Sequence, residues 1–220
     1  MTYQPTARRP IAAIFRWTAD AAVEICRRFQ ISADAVSYAS IVAAALAAVA
    51  FQQSGETPWL LVPAVLLCVL RLWLNMLDGM VALALGQASR RGELLNDLPD
   101  RVSDVLIFVG VAHSGLCHPL LGYWAAIFSL LTAYIGTFGQ AVGAGRQFGG
   151  WMSKPWRMVV LGVGAWITLA LQINGANFNG IAGLTVLDLA HCLVIVGCLQ
   201  TVTVRLQRIL AALERAKATL

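Results

Sequence analysis

An all-α integral membrane fold, with six transmembrane helices preceded by an N-terminal amphipathic interfacial helix, is what this sequence predicts. Three observations carry the prediction. Of the 220 residues, 59% are hydrophobic and only 12% charged, and the mean hydropathy of +0.71 lies in the range of polytopic membrane proteins. Apolar runs near the length of about 20 residues that a span requires recur along the chain, separated by short polar stretches. Finally, fifteen of the sixteen Lys and Arg residues fall in alternate connections between those runs. A soluble core of this length is excluded. The net charge of +5 is accounted for by that placement, so no nucleic-acid partner is expected. Cys26, Cys68, Cys117, Cys192 and Cys198 show no CxxC pair and no metal spacing, and are read as small buried hydrophobes.

Residues 1–30 form a polar tail and a juxtamembrane helix. Arg8-Arg9 is not followed by an uncharged apolar stretch, so neither a signal peptide nor a twin-arginine signal is indicated. Ile11, Ile14, Phe15, Ala22, Ile25 and Phe29 recur at helical spacing with charged residues on the other faces, the pattern of a helix lying in the interface. The alternative is a helix packed on another protein surface. Residues 31–206 hold the spans, read as one domain: Ser32 to Gln53, Trp59 to Leu85, Leu94 to Leu116, Leu120 to Val142, Met158 to Leu171 and Leu184 to Leu206. Residues 207–220 form a basic, helix-prone tail. The basic excess marks the cytoplasmic side and, with an even number of spans, puts both termini there, in a cytoplasmic (inner) membrane of bacterial type. Arg71 alone is exceptional, and either points into a polar pocket or pairs with a carboxylate.

The polar stretch from Asn75 to Asp104 interrupts this hydrophobic chain where the second and third spans meet the cytoplasmic boundary. Ionisable groups at such depth are costly and point to function. On helices, Asn75, Asp78 and Ala82 share one face, and Asn96, Asp100 and Asp104 another. Two such faces turned together make a cluster of oxygen ligands of the kind that suits Mg²⁺ or Mn²⁺, unless the polar groups only stabilise the bundle. Gly79 and Gly92 would let a phosphate approach the helix backbone.

The run Asn75-x2-Asp78-Gly79-x2-Ala82-Leu83-x8-Gly92-x3-Asn96-x3-Asp100 resembles the signature of the CDP-alcohol phosphatidyltransferases, D-x2-D-G-x2-A-R-x8-G-x3-D-x3-D, with every spacing kept and five of eight fixed residues matching. The resemblance implies a transferase that passes the phosphatidyl group of a CDP-linked lipid, usually CDP-diacylglycerol, to a small alcohol and releases CMP. It is the family's habit to form homodimers. Carried over by position, Asp78 is a metal and nucleotide ligand, Asp100 a metal-site residue and the general base, and Gly79, Ala82 and Gly92 the floor of the cytidine site. Asn75 and Asn96 stand at two ligand positions and Leu83 at that of an arginine expected to touch the nucleotide. These departures leave a one-metal variant, a site completed by Asp97 or Asp104, or a protein that binds without turnover.

The glycine-rich loop after the fourth span brings Arg146, Lys154 and Arg157 to the same membrane side. They form either an anionic acceptor pocket, as the resemblance implies for phosphate-bearing acceptors, or the ordinary cytoplasmic basic bias. Besides a transferase, two other classes remain: a non-catalytic CDP-lipid-binding or scaffolding relative, and a small transporter. For a transporter the one-sided carboxylates are awkward, since transport sites lie near the midplane.

Overall fold

The computed structural model describes the backbone of residues 12–86, 90–176 and 183–218, and the side chains of 18–86, 97–176 and 183–217. Among these residues all regular structure is helical: α1 (Ala12–Arg28), α2 (Ala33–Gln53), a 3₁₀ turn (Pro58–Leu60), α3 (Leu61–Ala84), α4 (Arg90–Ala112), α5 (Pro119–Ala141), α6 (Lys154–Ile173) and α7 (Val186–Ala218). Five are long and apolar enough to cross a membrane: α2, α3 with its 3₁₀ turn, α5, α6 and α7. The charges of its first half, from Arg90 to Asp104, keep α4 outside that group.

Local chemistry fixes several boundaries. Ser32 caps α2, its hydroxyl accepting from Ala35 N at 3.2 Å. Pro119 and Pro155 sit in the first turns of α5 and α6, where a missing N–H costs nothing. At the start of α7, Asp188 accepts from Thr185 N at 2.9 Å while Thr185 Oγ1 accepts from Asp188 N at 3.1 Å, a reciprocal cap. The same carboxylate accepts from His118 N at 2.6 Å, tying the α4–α5 connection to α7.

Each of α2 to α7 touches two neighbours in the order α3, α2, α4, α5, α7, α6 and back to α3, so the six close into a ring, with α3 and α4 also meeting directly. Phe51, Leu61, Ile107, Phe108, Leu161 and Leu187 are fully or nearly fully buried at its centre. Small residues permit close approach: a Cβ at Gly122 would sit 2.7 Å from that of Ala112, and one at Gly164 2.9 Å from that of Ala190. The outer surface is apolar, with Leu66, Val69, Trp124, Ile127, Val163 and Val196 each more than 40% exposed, which suits contact with acyl chains. Helix α1 packs on α3 through Cys26, Leu77 and Val81, and Trp73 Nε1 donates to Thr18 Oγ1 at 3.2 Å.

Several boundaries differ from expectation, among them the start of α4, at Arg90 rather than Leu94. Helix α6 starts at Lys154 rather than Met158, because Pro155 initiates a helix well despite the polar residues around it. Helix α7 runs unbroken through the basic tail to Ala218, since Arg, Glu, Lys and Ala are good helix formers. Helix α4 ends at Ala112 rather than Leu116, where Gly115 takes a φ of +72°.

Candidate functional site

The polar residues of α3, α4 and the start of α6 converge on one end of the ring. Asn75 donates its side-chain N–H to Asp100 Oδ1, and Lys154 Nζ contacts both Asn75 Oδ1 and Asp100 Oδ2. One turn on, Asp104 is 1% exposed and bracketed by two arginines: Arg71 Nη2 donates to Oδ1 at 2.9 Å and Arg157 Nη2 to Oδ2 at 2.6 Å. Arg71, wholly buried, also donates to the Asp100 carbonyl at 2.9 Å. It therefore pairs with a carboxylate, one of the two roles its position left open. Asp78 is 1% exposed and accepts from Ser37 Oγ of α2 at 2.6 Å. Asp97 pairs instead with Arg146 at 2.6 Å and Arg101 at 3.2 Å.

Beside this cluster opens a cavity of about 670 Å³ whose wall includes Asp97, Asp100, Arg146, Lys154, Arg157 and Arg205. The loop between α5 and α6 forms much of its rim. Arg205 of α7 anchors that loop, Nε donating to Gly149 O at 2.9 Å and Nη1 to Thr132 O at 2.5 Å. Met152 N donates to Thr201 Oγ1 at 3.0 Å, and Gln147 N to Gly136 O at 3.0 Å. Gly150, with φ +99°, passes against Thr201, where a side chain would have no room.

Of the residues singled out by sequence, Asn75, Asp100 and Lys154 are in mutual contact, and Arg146 and Arg157 line the same cavity. The three cations do not converge on one point, because Arg157 is engaged by Asp104 and Arg146 by Asp97. Asp78 is not part of the cavity wall. Gly79 lies beside it on α3, and a Cβ there would meet nothing within 4 Å. Ala82 is half-buried. Gly92 and the side chain of Asn96 lie outside the described residues. Ser37 and Arg205 were not singled out: Ser37 sits in an apolar span, and Arg205 was counted only among the basic residues of the cytoplasmic side. The signal for Ser37 is its stripe with Ser40, Ala44, Ala47 and Phe51, all buried on one face of α2.

Whether these residues fit a divalent metal is decided by charge and by spare lone pairs. Among the described residues, Asp100 and Asp104 face Arg71, Arg157 and Lys154, Asp97 faces two arginines, and Asp78 is held by the Ser37 hydroxyl. Asp97, Asp100 and Asp104 are thus already neutralised, and among the described residues no group of three or more His, Cys, Asp or Glu converges as a ligand set. The unused capacity is of the opposite kind: Arg71 Nε and Nη1 and Arg157 Nε are buried donors with no acceptor. As placed, the cluster fits an anion and does not fit a dication.

The ring of six helices is a known membrane-protein fold. It superposes on phosphatidylinositol phosphate synthase (PgsA1) of Mycobacterium tuberculosis with CDP-DAG bound, at a TM-score of 0.69 and 20% identity, covering 87% of this chain and 92% of that one. The same enzyme in complex with manganese and citrate gives a TM-score of 0.69 and 20% identity over 87% and 88% of the two chains. In apo form it gives 0.67 and 22% over 86% and 94%. Among curated proteins, inner membrane protein YnbA of Escherichia coli (strain K12) is 30% identical over 105 residues, 48% of this chain and 51% of that protein, so the match spans about half of each. No family profile matches the chain.

Proposed function

We propose that the protein is a CDP-alcohol phosphatidyltransferase of phospholipid synthesis, taking a CDP-linked lipid, with CDP-diacylglycerol first in line, and passing its phosphatidyl group to a small alcohol with release of CMP. The observation that carries this function is Asp100 on the wall of a 670 Å³ cavity that Lys154, Arg157 and Arg146 share, on a fold whose solved neighbour holds CDP-DAG.

In this mechanism the alcohol oxygen attacks the phosphorus that carries the lipid. The bond from that phosphorus to the CMP oxygen breaks, and the hydroxyl proton passes to Asp100. Lys154 and Arg157 face the phosphates and offset the charge that grows on the departing CMP. Arg146, on the glycine-rich loop at the cavity rim, holds the acceptor, which is phosphate-bearing if it uses that charge. Asp78, steadied by Ser37, and Gly79 and Ala82 form the nucleotide side, with Gly92 and Asn96 completing it. One neighbour is in complex with manganese. In this chain Mg²⁺ or Mn²⁺ would have to take the oxygens of Asn75 and Asp100 from Lys154, so no step is routed through a metal.

All six helices α2 to α7 cross a bacterial cytoplasmic membrane in this reading, α4 included, because the ring would otherwise expose its neighbours' inner faces. Helix α1 lies in the cytoplasmic interface, residues 31–206 are one catalytic unit, and two chains form a homodimer. A second reading, binding of the CDP-lipid without turnover, is favoured by the departures Asn75, Asn96 and Leu83. CMP release separates the two. Purified protein in nanodiscs with CDP-diacylglycerol should release CMP when the right member of a panel of alcohols is added, and Asp100→Asn should not. Saturable lipid binding with no CMP from any acceptor would leave the second.

A further inference from the structure

We infer that the Lys154 ammonium is a resident cation bridging α3 and α4, filling the oxygen set that a divalent metal would need, so that the cavity receives an anionic diphosphate directly. Three observations support it. Lys154 Nζ rests on Asn75 Oδ1 and Asp100 Oδ2, the two oxygens that α3 and α4 turn toward one another. These are a neutral amide and a single carboxylate, enough to balance one positive charge and too little for two. The lysine is delivered from a third helix at its first residue, with its side chain only 12% exposed, so it is held in place by the fold rather than laid across a surface. Finally, Arg157 on the cavity wall keeps a buried Nε with no acceptor, and such a donor asks for acceptor oxygens, which phosphates supply and a metal ion does not.

The proposal leans on the proposed function only for the name of the anion, and its test does not use activity. Mn²⁺ alone is the probe. Its binding is followed by loss of the free-ion spin-resonance signal, using full-length protein in phosphatidylcholine nanodiscs with empty nanodiscs as baseline. Wild type should show no saturable uptake up to about 1 mM. Lys154→Met and Lys154→Gln, which leave Asp100 with only the more distant Arg71 at 3.7 Å as counter-charge, should each gain Mn²⁺ binding at least about tenfold tighter, and Lys154→Met with Asp100→Asn should lose it again. Two neutral replacements guard against one that fails to fold. Saturable micromolar Mn²⁺ binding by wild type would overturn the inference. So would the absence of any gain in the folded lysine variants, or a gain that survives loss of Asp100. A protein that binds Mn²⁺ tightly yet releases CMP would refute the lysine's role and keep the transferase; the reverse pattern would do the opposite.

Discussion

A Cβ added at Gly79 would meet nothing within 4 Å, so packing within the chain does not call for glycine at this point of α3. Helix propensity favours alanine there by about 1 kcal/mol. Gly79→Ala should therefore keep or raise the melting temperature while weakening CDP-diacylglycerol binding by at least about tenfold, because the methyl group would occupy the space the ligand uses. Unchanged binding would remove Gly79 from the site. Asp104 presents the opposite case. It is the shared counter-ion of two buried arginines, and Asp104→Asn would leave Arg157 without its carboxylate and Arg71 with only Asp100 at 3.7 Å, a loss of about 3 to 5 kcal/mol visible as a large fall in thermal stability. Arg157 belongs to the same triad, so replacing it would disturb folding and ligand together. Arg146, partly exposed on the rim and stacked over Phe148 at 5.5 Å, is the cleaner test of acceptor recognition. Arg146→Ala should raise the acceptor's apparent KM by about tenfold with CDP-lipid affinity nearly unchanged.

Among the elements, the α5–α6 connection has its shape imposed from outside. Its carbonyls and amides are met by α7 through Arg205 and Thr201, so the rim of the cavity depends on a helix remote from it in sequence. Arg205→Met should leave the acceptors of Gly149 and Thr132 unsatisfied, at a cost of about 1 to 3 kcal/mol. It should speed amide exchange across 147–152 far more than in the cores of α2 or α3. Uniform exchange would mean the loop holds itself. Sequence alone could not show this dependence, because Arg205 there is one more cytoplasmic cation. The apolar helices α2, α3 and α5 were legible from length and hydropathy, which need no partner to be read. The candidate site was legible as a set of residues on shared faces, Asn75 with Asp78 and Asp100 with Asp104. Its pairings were not, since which carboxylate meets Arg71, Arg157 or Lys154 depends on how α3, α4 and α6 pack.

For the whole molecule, the distribution of charge sets the orientation. The connections holding Glu56, His118 and Asn177 contain no Lys or Arg, and the cavity with its cations lies at the other end. Helix α7, at 33 residues about 50 Å long, exceeds a hydrocarbon core of about 30 Å, so its last turns with Arg208, Arg215 and Lys217 emerge on the cavity side. Single cysteines at Glu56 and Glu214, both exposed, in a cysteine-free background should react with an impermeant reagent from opposite faces of the membrane. Reaction of both from the same face would overturn this topology and, with it, the placement of the site.

All of these features meet in the claim that the cavity recognises a cytidine diphosphate on a lipid rather than lipid charge in general. Equilibrium binding to protein in nanodiscs, with CDP-diacylglycerol set against phosphatidic acid and phosphatidylglycerol of the same acyl chains, measures that difference. CDP-diacylglycerol should bind saturably at one site per chain, be displaced by soluble CDP, and lose at least about tenfold in affinity in Asp78→Asn, while the two other lipids bind weakly and without saturation. Equal binding of all three lipids, insensitive to CDP and to Asp78→Asn, would contradict it and leave Arg146, Lys154 and Arg157 as a patch for anionic lipid.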